Sequence, residues 1–346
     1  MVAVFALAPV LLSHDVFSYV DYARLGVVHG LDPYVHRPVA APADPAFADV
    51  TWTESTSAYG PLFTLLTYPL AWLDVGLAVA VLKAVAALSV LGLAALAARI
   101  AAWRGVDPVR AAAFVALNPL VLVHVVGGAH NDGLMMLLAM LAVAAVLSGR
   151  EAAGGAALVA ATAIKASAAF LAPFALIATA QDRSMGLKTA HVRRNRPVGG
   201  RFGSVSRLLA GAAAAAVVIG VASYLAFGWD WTRSFGHVAG NQHHTSHLSI
   251  PTTVARIAGV EPDSVRAIAA VLFAALIAYL LVWTWRGGDW VRAAAWTAFG
   301  LLLATSWLLP WYLVWLFPLV AISRDRPLQL LTLALTAYQL AARIPL

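Results

Sequence analysis

The sequence predicts an all-α, polytopic membrane protein, and three observations predict it. The 346-residue chain is 62% hydrophobic and only 11% charged, with mean hydropathy +0.81. Soluble globular domains carry about 25% charged residues. Apolar runs of helix length recur from residue 75 to the C-terminal end, separated by short polar stretches. Lys and Arg gather in one alternate set of those stretches, while acids and most of the ten histidines gather in the other. Cytoplasmic loops are enriched in Lys and Arg, so the basic set is placed inside.

Each element follows in order. The first apolar run, residues 2–12, is too short to span alone, since a crossing needs about 20 residues. It reads as the tail of a truncated first transmembrane helix. It has no basic n-region and no small-residue cleavage pattern of the kind a signal peptide shows. An amphipathic piece, 16–28, comes next. Residues 29–73 form an outer loop, with prolines at 33, 38, 42 and 45 that forbid a continuous helix and an interfacial helix over 59–73. Spans are expected at 75–98, 111–126 and 133–147. Residues 152–164 and 167–180 are each too short to cross and read as a hairpin turning inside the membrane at Lys165; a single tilted helix of 29 residues is the alternative. Residues 181–207 form a basic cytoplasmic loop. Further spans are expected at 208–227, 264–283, 293–309, 311–322 and 328–342, and 228–263 is a second large outer loop. The whole is one transmembrane domain.

Composition also excludes. The chain has no cysteine, hence no disulfide framework, thiol nucleophile or Cys-based metal site. The net charge of +7 comes mostly from the 181–207 loop, with Arg183, Lys188, Arg193, Arg194, Arg196, Arg201 and Arg207 against Asp182. That loop reads as an anchor touching anionic membrane lipid; no aromatics are interleaved as nucleic-acid binding would require. No Walker-A or Rossmann glycine pattern occurs, which argues against a nucleotide or nucleotide-sugar substrate.

Chemistry is sought where polar groups meet the membrane. Asp15 follows the first apolar run at once. A carboxylate at that depth is costly unless it is partnered or functional, and a partly desolvated one can act as a general base. The structural alternatives are a helix-end cap or a partner for Arg24. His130-Asn131-Asp132 lies between two spans on the same face; Asp132 could simply cap the following helix, yet three consecutive polar groups exceed what a cap requires. Lys165, in an apolar hairpin, suits a phosphate, unless its stem snorkels to the interface. Lys83 reads as a snorkelling lysine. The outer run Gly240 to His247, with His243 and His244, suits a sugar or phosphate, and Arg233 and Arg256 add anion partners. Trp307, Trp311, Tyr312 and Trp315 read as interfacial aromatics. No metal-ligand spacing is compelling; the sequence requires no cofactor and leaves a divalent metal possible.

These stretches resemble the GT-C class of integral-membrane glycosyltransferases. The resemblance is nearest to the actinobacterial polyprenol-phosphate-mannose-dependent α-1,6-mannosyltransferases that build the mannan backbone of lipomannan. It rests on Ser13-His14-Asp15-Val16-Phe17-Ser18-Tyr19, Tyr59-Gly60-Pro61-Leu62, Asn118-Pro119-Leu120, Gly128-Ala129-His130-Asn131-Asp132, Lys165-Ala166-Ser167 and Pro310-Trp311-Tyr312, which together cover most of the chain. The truncated first helix departs from the family pattern.

The resemblance implies a GT-C-like helical bundle with interfacial helices and two large outer loops. The donor would be a polyprenyl monophosphomannose and the acceptor a glycolipid or glycan, at an extracytoplasmic site of the plasma membrane. Asp15 would deprotonate the acceptor hydroxyl, and polyprenyl phosphate would leave with inversion. Lys165, His243, His244 and Arg233 would steady the phosphate. His14, Tyr19, Tyr59, His130, Asn131, Asp132, Trp311 and Tyr312 would line the sugar and acceptor pocket. Two other readings are a transporter or lipid flippase without chemistry, and a scaffold subunit without catalysis. A transporter favours internal repeats and a midplane site, whereas here the polar residues gather at one face.

Overall fold

The computed structural model describes residues 1–181, 201–240 and 244–341, and every regular element among them is a helix. Among the described residues three helices are long and apolar enough to cross a membrane: α4 (Val75–Arg104), α9 (Arg201–Phe227) and α12 (Pro262–Trp285). Before α4 come α1 (Val2–Leu7), α2 (Asp15–Val27) and α3 (Pro61–Thr67). After it come α5 (Pro108–Ala116), α6 (Asp132–Leu147), α7 (Glu151–Ile164) and α8 (Ala172–Ala180). Between α9 and α12 lie α10 (Arg233–Gly240) and α11 (Ile250–Ala258), and the chain continues through α13 (Trp290–Ala304), α14 (Phe317–Ile322) and α15 (Arg326–Ala341).

Helix α4 is the central post. The Asp74 carboxylate accepts from the Gly76 and Leu77 amides at its start, and Gly105 ends it in the left-handed region at φ +68°. It runs six residues past the expected end at 98, because Arg104 fits the last turn of a helix, where a cation meets the negative end of the dipole. Met135, Met136, Ala139 and Met140 of α6 are fully buried beside it in the core.

Several expected spans are broken. Residues 111–126 are not one helix: α5 stops before Asn118-Pro119, and a wide turn, Val121–Val126, follows. Proline lacks the amide a continuing helix needs, and the Asn118 side chain instead accepts from the Leu120 amide at 3.0 Å. The 293–309 span is α13, shifted towards the N-terminus because Asp289 caps it. The 311–322 span is a 3-10 turn, Pro310–Trp315, followed by α14, with prolines opening both pieces. Residues 59–73 form α3 and a 3-10 turn, Tyr68–Trp72, of 7 and 5 residues, too short to cross.

At Lys165 the backbone becomes extended (φ −154°, ψ 123°) between α7 and the 3-10 turn Ala166–Leu171. The chain then doubles back. Gly155 of α7 and Leu176 of α8 both lie beside Leu208 near the start of α9. Glu151 pairs with Arg207 at 3.2 Å, and the Gln181 amide donates to the Trp285 carbonyl. Most of the 181–207 basic stretch lies outside the described residues. Glycines let α7 and α9 touch: a Cβ on Gly211 would stand 1.9 Å from the Ala152 carbonyl oxygen.

The bundle end away from Asp15 is closed by polar locks. Buried Arg104 pairs with Asp289 and donates from Nε to the Ile322 carbonyl at 2.8 Å. Asp325 accepts from Arg292 at 2.6 Å and from the Trp296 indole at 2.8 Å. The three short basic stretches near 104, 289 and 325 thereby meet at one end.

Candidate active site

Asp15 opens α2, where an acid favours the positive end of the helix dipole. Its amide reaches the Ser13 hydroxyl at 3.3 Å. Leu12, three residues before it, adopts φ +61°, and Ala129, next to His130, adopts φ +54°. Non-glycine residues in that region are strained, and such strain clusters at functional sites. Arg24 does not pair with Asp15; it pairs with Asp44 at 2.8 Å. The Asp15 carboxylate instead accepts from the Trp52 indole at 2.9 Å, and its other oxygen lies 3.7 Å from His130 Nδ1. Burial raises the Asp15 carboxyl above the ordinary carboxylate range, with the Asp132 charge adding to it and Trp52, Lys165 and Ser13 opposing.

His130 is buried and stacks on Trp311, with centroids 3.7 Å apart. Burial, then the Lys165 charge and His124, hold its imidazole well below the usual histidine range, so it is neutral. Neither ring nitrogen, nor the buried side-chain amide of Asn131, has a hydrogen-bond partner among the described residues. Buried polar groups are nearly always bonded, so these two stand out, although neither lines the polar cavity at Asp15. Asp132 is not a cap. Its carboxylate, fully buried, takes two bonds from Lys165 at 2.8 and 2.9 Å and one from the Trp315 indole at 2.6 Å. Lys165 also lies 4.7 Å over the Tyr312 ring. It does not snorkel.

Gly60 explains how the 29–73 stretch reaches Lys165. Its amide donates to the Ile164 carbonyl at 3.0 Å, and a Cβ there would stand 2.1 Å from the Ala163 carbonyl oxygen. Only glycine permits that approach. The result is a cavity of about 330 Å³ whose walls include Asp15, Trp52, Tyr59, Lys165, His244, Trp307, Trp311 and Tyr312. Donors, acceptors and aromatic faces converge there, as in a site for a small polar ligand.

Not every expected residue arrives: His130, Asn131 and Asp132 are buried and do not line the cavity, Asp132 being drawn to Lys165 and Trp315. His14 turns away, Nδ1 lying 3.2 Å from the Asp49 carbonyl, because its position before α2 points it at the outer loop. Tyr19 is a core residue, its ring edge against Tyr59 and Phe63 at 4.7 and 4.8 Å. Arg233 is exposed, pairs with Asp230 at 2.8 Å and does not line the cavity; an i, i+3 partner satisfies it on its own helix face. His243 lies outside the described residues. Trp52, Trp307 and Trp315 take site positions that an interfacial or loop reading missed, because their partners Asp15, His244 and Asp132 lie far away in the chain. Among the described residues no group of three His, Asp or Glu could hold a metal ion.

The chain was compared with known proteins. Residues 2–181 match the family model described as alpha-(1->6)-mannopyranosyltransferase, N-terminal domain. The chain is 30% identical over 334 residues to alpha-(1->6)-mannopyranosyltransferase A of Mycobacterium tuberculosis (strain ATCC 25618 / H37Rv), covering 89% of this chain and 62% of that protein. It is 28% identical over 272 residues to the protein of the same name from Corynebacterium glutamicum, covering 74% of this chain and 53% of the relative. The chain thus spans little more than half the length of these relatives. With the matched segment carrying Asp15, His130, Asp132 and Lys165, the chain belongs to the alpha-(1->6)-mannopyranosyltransferase family.

Proposed function

We propose that this chain, as one transmembrane domain, moves mannose from a polyprenyl monophosphomannose to a glycan acceptor, forming an α-1,6 linkage on the extracytoplasmic face of the membrane. The observation that carries the reading is a shared wall. Tyr59 and Lys165 line the polar cavity, while Pro61 and Ala163, two residues along each segment, line an apolar groove of about 410 Å³ between the Lys165 hairpin and α9. A donor with a charged phosphate and a hydrocarbon tail fits that division: tail in the groove, phosphate at Lys165, sugar in the cavity.

The chemistry follows from the side chains. A raised, partly shielded carboxylate is suited to take a proton from an alcohol. Asp15 takes the proton of the acceptor hydroxyl, the oxygen attacks the anomeric carbon, and the bond from that carbon to the phosphate oxygen breaks. Inversion converts a β-linked donor into the α-linked product. Two Lys165 N–H groups are held by Asp132, which leaves one of the three donors of an ammonium to meet charge developing on the leaving phosphate. His244, also on the cavity wall, adds a second polar group. Trp311 and Tyr312, on the cavity wall, offer aromatic faces to the sugar, and His130 stacks on Trp311. The basic stretch 181–207 meets anionic lipid at the cytoplasmic surface.

The test is transfer in membranes or detergent from a radiolabelled polyprenyl monophosphomannose to a mannan oligosaccharide. Label in a lengthened glycan, with none from a nucleotide-linked mannose, supports the reading. Movement of the donor across a sealed bilayer with no glycan product would replace it with a flippase.

A further inference from the structure

We infer that Trp52 is a positioning residue for Asp15, holding the carboxylate by its indole N–H while Trp307, just past the end of α13, holds the indole. The inference rests on the mannosyl-transfer reading above and adds to it a residue outside the stretches that carry the resemblance. Trp52 Nε1 donates to Asp15 Oδ1 at 2.9 Å. One carboxylate oxygen is thereby occupied, and Oδ2, which faces His130, is left to accept a proton. The Trp52 ring meets Trp307 edge-on, 5.9 Å between centroids at 80°, and Trp307 in turn lies 4.9 Å from His244. Asp15, Trp52, Trp307 and His244 all line the cavity.

The loop that presents Trp52 is tied to the helix that presents Asp15. Tyr22 of α2 donates to the Ser55 carbonyl at 2.8 Å, and the Ser55 amide donates to the Trp52 carbonyl at 3.1 Å. Trp52 is itself 37% exposed, so its ring is not required by the core. A partly buried donor aimed at a carboxylate stabilises the charged form and fixes its direction.

The groups facing Asp15 are few. Lys165 favours its charged form and Asp132 disfavours it. His130 is neutral, and Tyr19, Tyr22, Tyr59 and Tyr312 carry uncharged hydroxyls nearby. Loss of the Trp52 donor therefore moves the acid limb of the rate profile to higher pH.

The experiment uses Trp52→Phe, which keeps an aromatic ring and removes the N–H. Near the acid limb kcat is expected to fall about tenfold and the limb to move up by about one pH unit, while KM for the acceptor changes less than twofold. Trp307→Ala shifts the limb in the same direction by less, and adding it to Trp52→Phe adds little. Infrared titration of the Asp15 carboxyl, taken as a difference against Asp15→Asn, reads the same shift without turnover. A fall in rate with an unmoved limb and an unmoved titration would overturn the inference and leave Trp52 a packing residue. If the wild-type chain transfers no mannose, the preceding reading fails, and the titration still decides this one.

Discussion

His130 Nδ1 lies 3.7 Å from Asp15 Oδ2, although one residue precedes α6 and the other opens α2. The approach is built by the backbone behind them. The Leu11 amide donates to the Gly127 carbonyl at 3.1 Å. Lys83 of α4, itself buried, donates to Ala8 at 2.5 Å, Pro9 at 3.0 Å and Gly127 at 3.2 Å. An ammonium with three carbonyl acceptors ties both strained loops to the central helix.

Lys83→Met removes that tie and leaves carbonyls without their donor. Each buried unsatisfied group costs about 1–3 kcal/mol. The variant is expected to lose about 2–4 kcal/mol of stability and at least tenfold in transfer, read by thermal unfolding in detergent and by the glycan assay. Unchanged activity would show that the two loops hold their places without Lys83.

The Lys165–Asp132 pair predicts strong non-additivity. Lys165→Met leaves a fully buried carboxylate unpaired, which costs about 3–5 kcal/mol. Lys165→Met with Asp132→Leu is expected to recover most of that stability but no transfer. If the double variant regains activity, the lysine is structural only.

Gly60→Ala places a methyl against the Ala163 carbonyl. Overpacking of this kind costs about 1–3 kcal/mol. Because Gly60 also bonds the Ile164 carbonyl, the strain falls on the residues beside Lys165. Donor KM is expected to rise at least fivefold in steady-state assays; an unaltered KM would separate the Tyr59-Gly60-Pro61 stretch from the donor.

Much of this was legible in the sequence, and the failures have physical causes. Asp15, His130, Asp132 and Lys165 stood out because a polar residue in an apolar context is costly. The break at Lys165 was legible because neither flanking run was long enough to cross. Proline at 119 and 310 marked breaks that hydropathy smoothed over. Lys83 was misread because a single lysine in a span gives no hint of the carbonyls that fold against it. Trp315 was misread as a membrane-interface residue because its partner, Asp132, lies far along the chain.

Asp21 predicts a pH effect on stability. It is buried beside the Arg24–Asp44–His29 cluster, and neither carboxylate oxygen has a hydrogen-bond partner among the described residues. Burial, with the Asp44 charge, pushes it up to about 7 from 3.8, against His29 and Arg24. The folded state therefore holds a proton the unfolded state has lost. That contribution is full below pH 3.8 and is lost as pH rises through about 7. Asp21→Asn is expected to match the wild type near pH 4 and exceed it by about 2–4 kcal/mol at pH 8. Parallel unfolding curves for the two proteins between these pH values would refute the assignment.

The central claim is that Asp15 is the base. Asp15→Asn keeps the size of the side chain and its bond from Trp52 while removing the basic oxygen. The direct measurement is single-turnover transfer from a polyprenyl monophosphomannose alongside binding of the same donor. The account predicts a loss of at least a thousandfold in the transfer rate with donor affinity within a few-fold of wild type. Transfer at the wild-type rate by Asp15→Asn would contradict it.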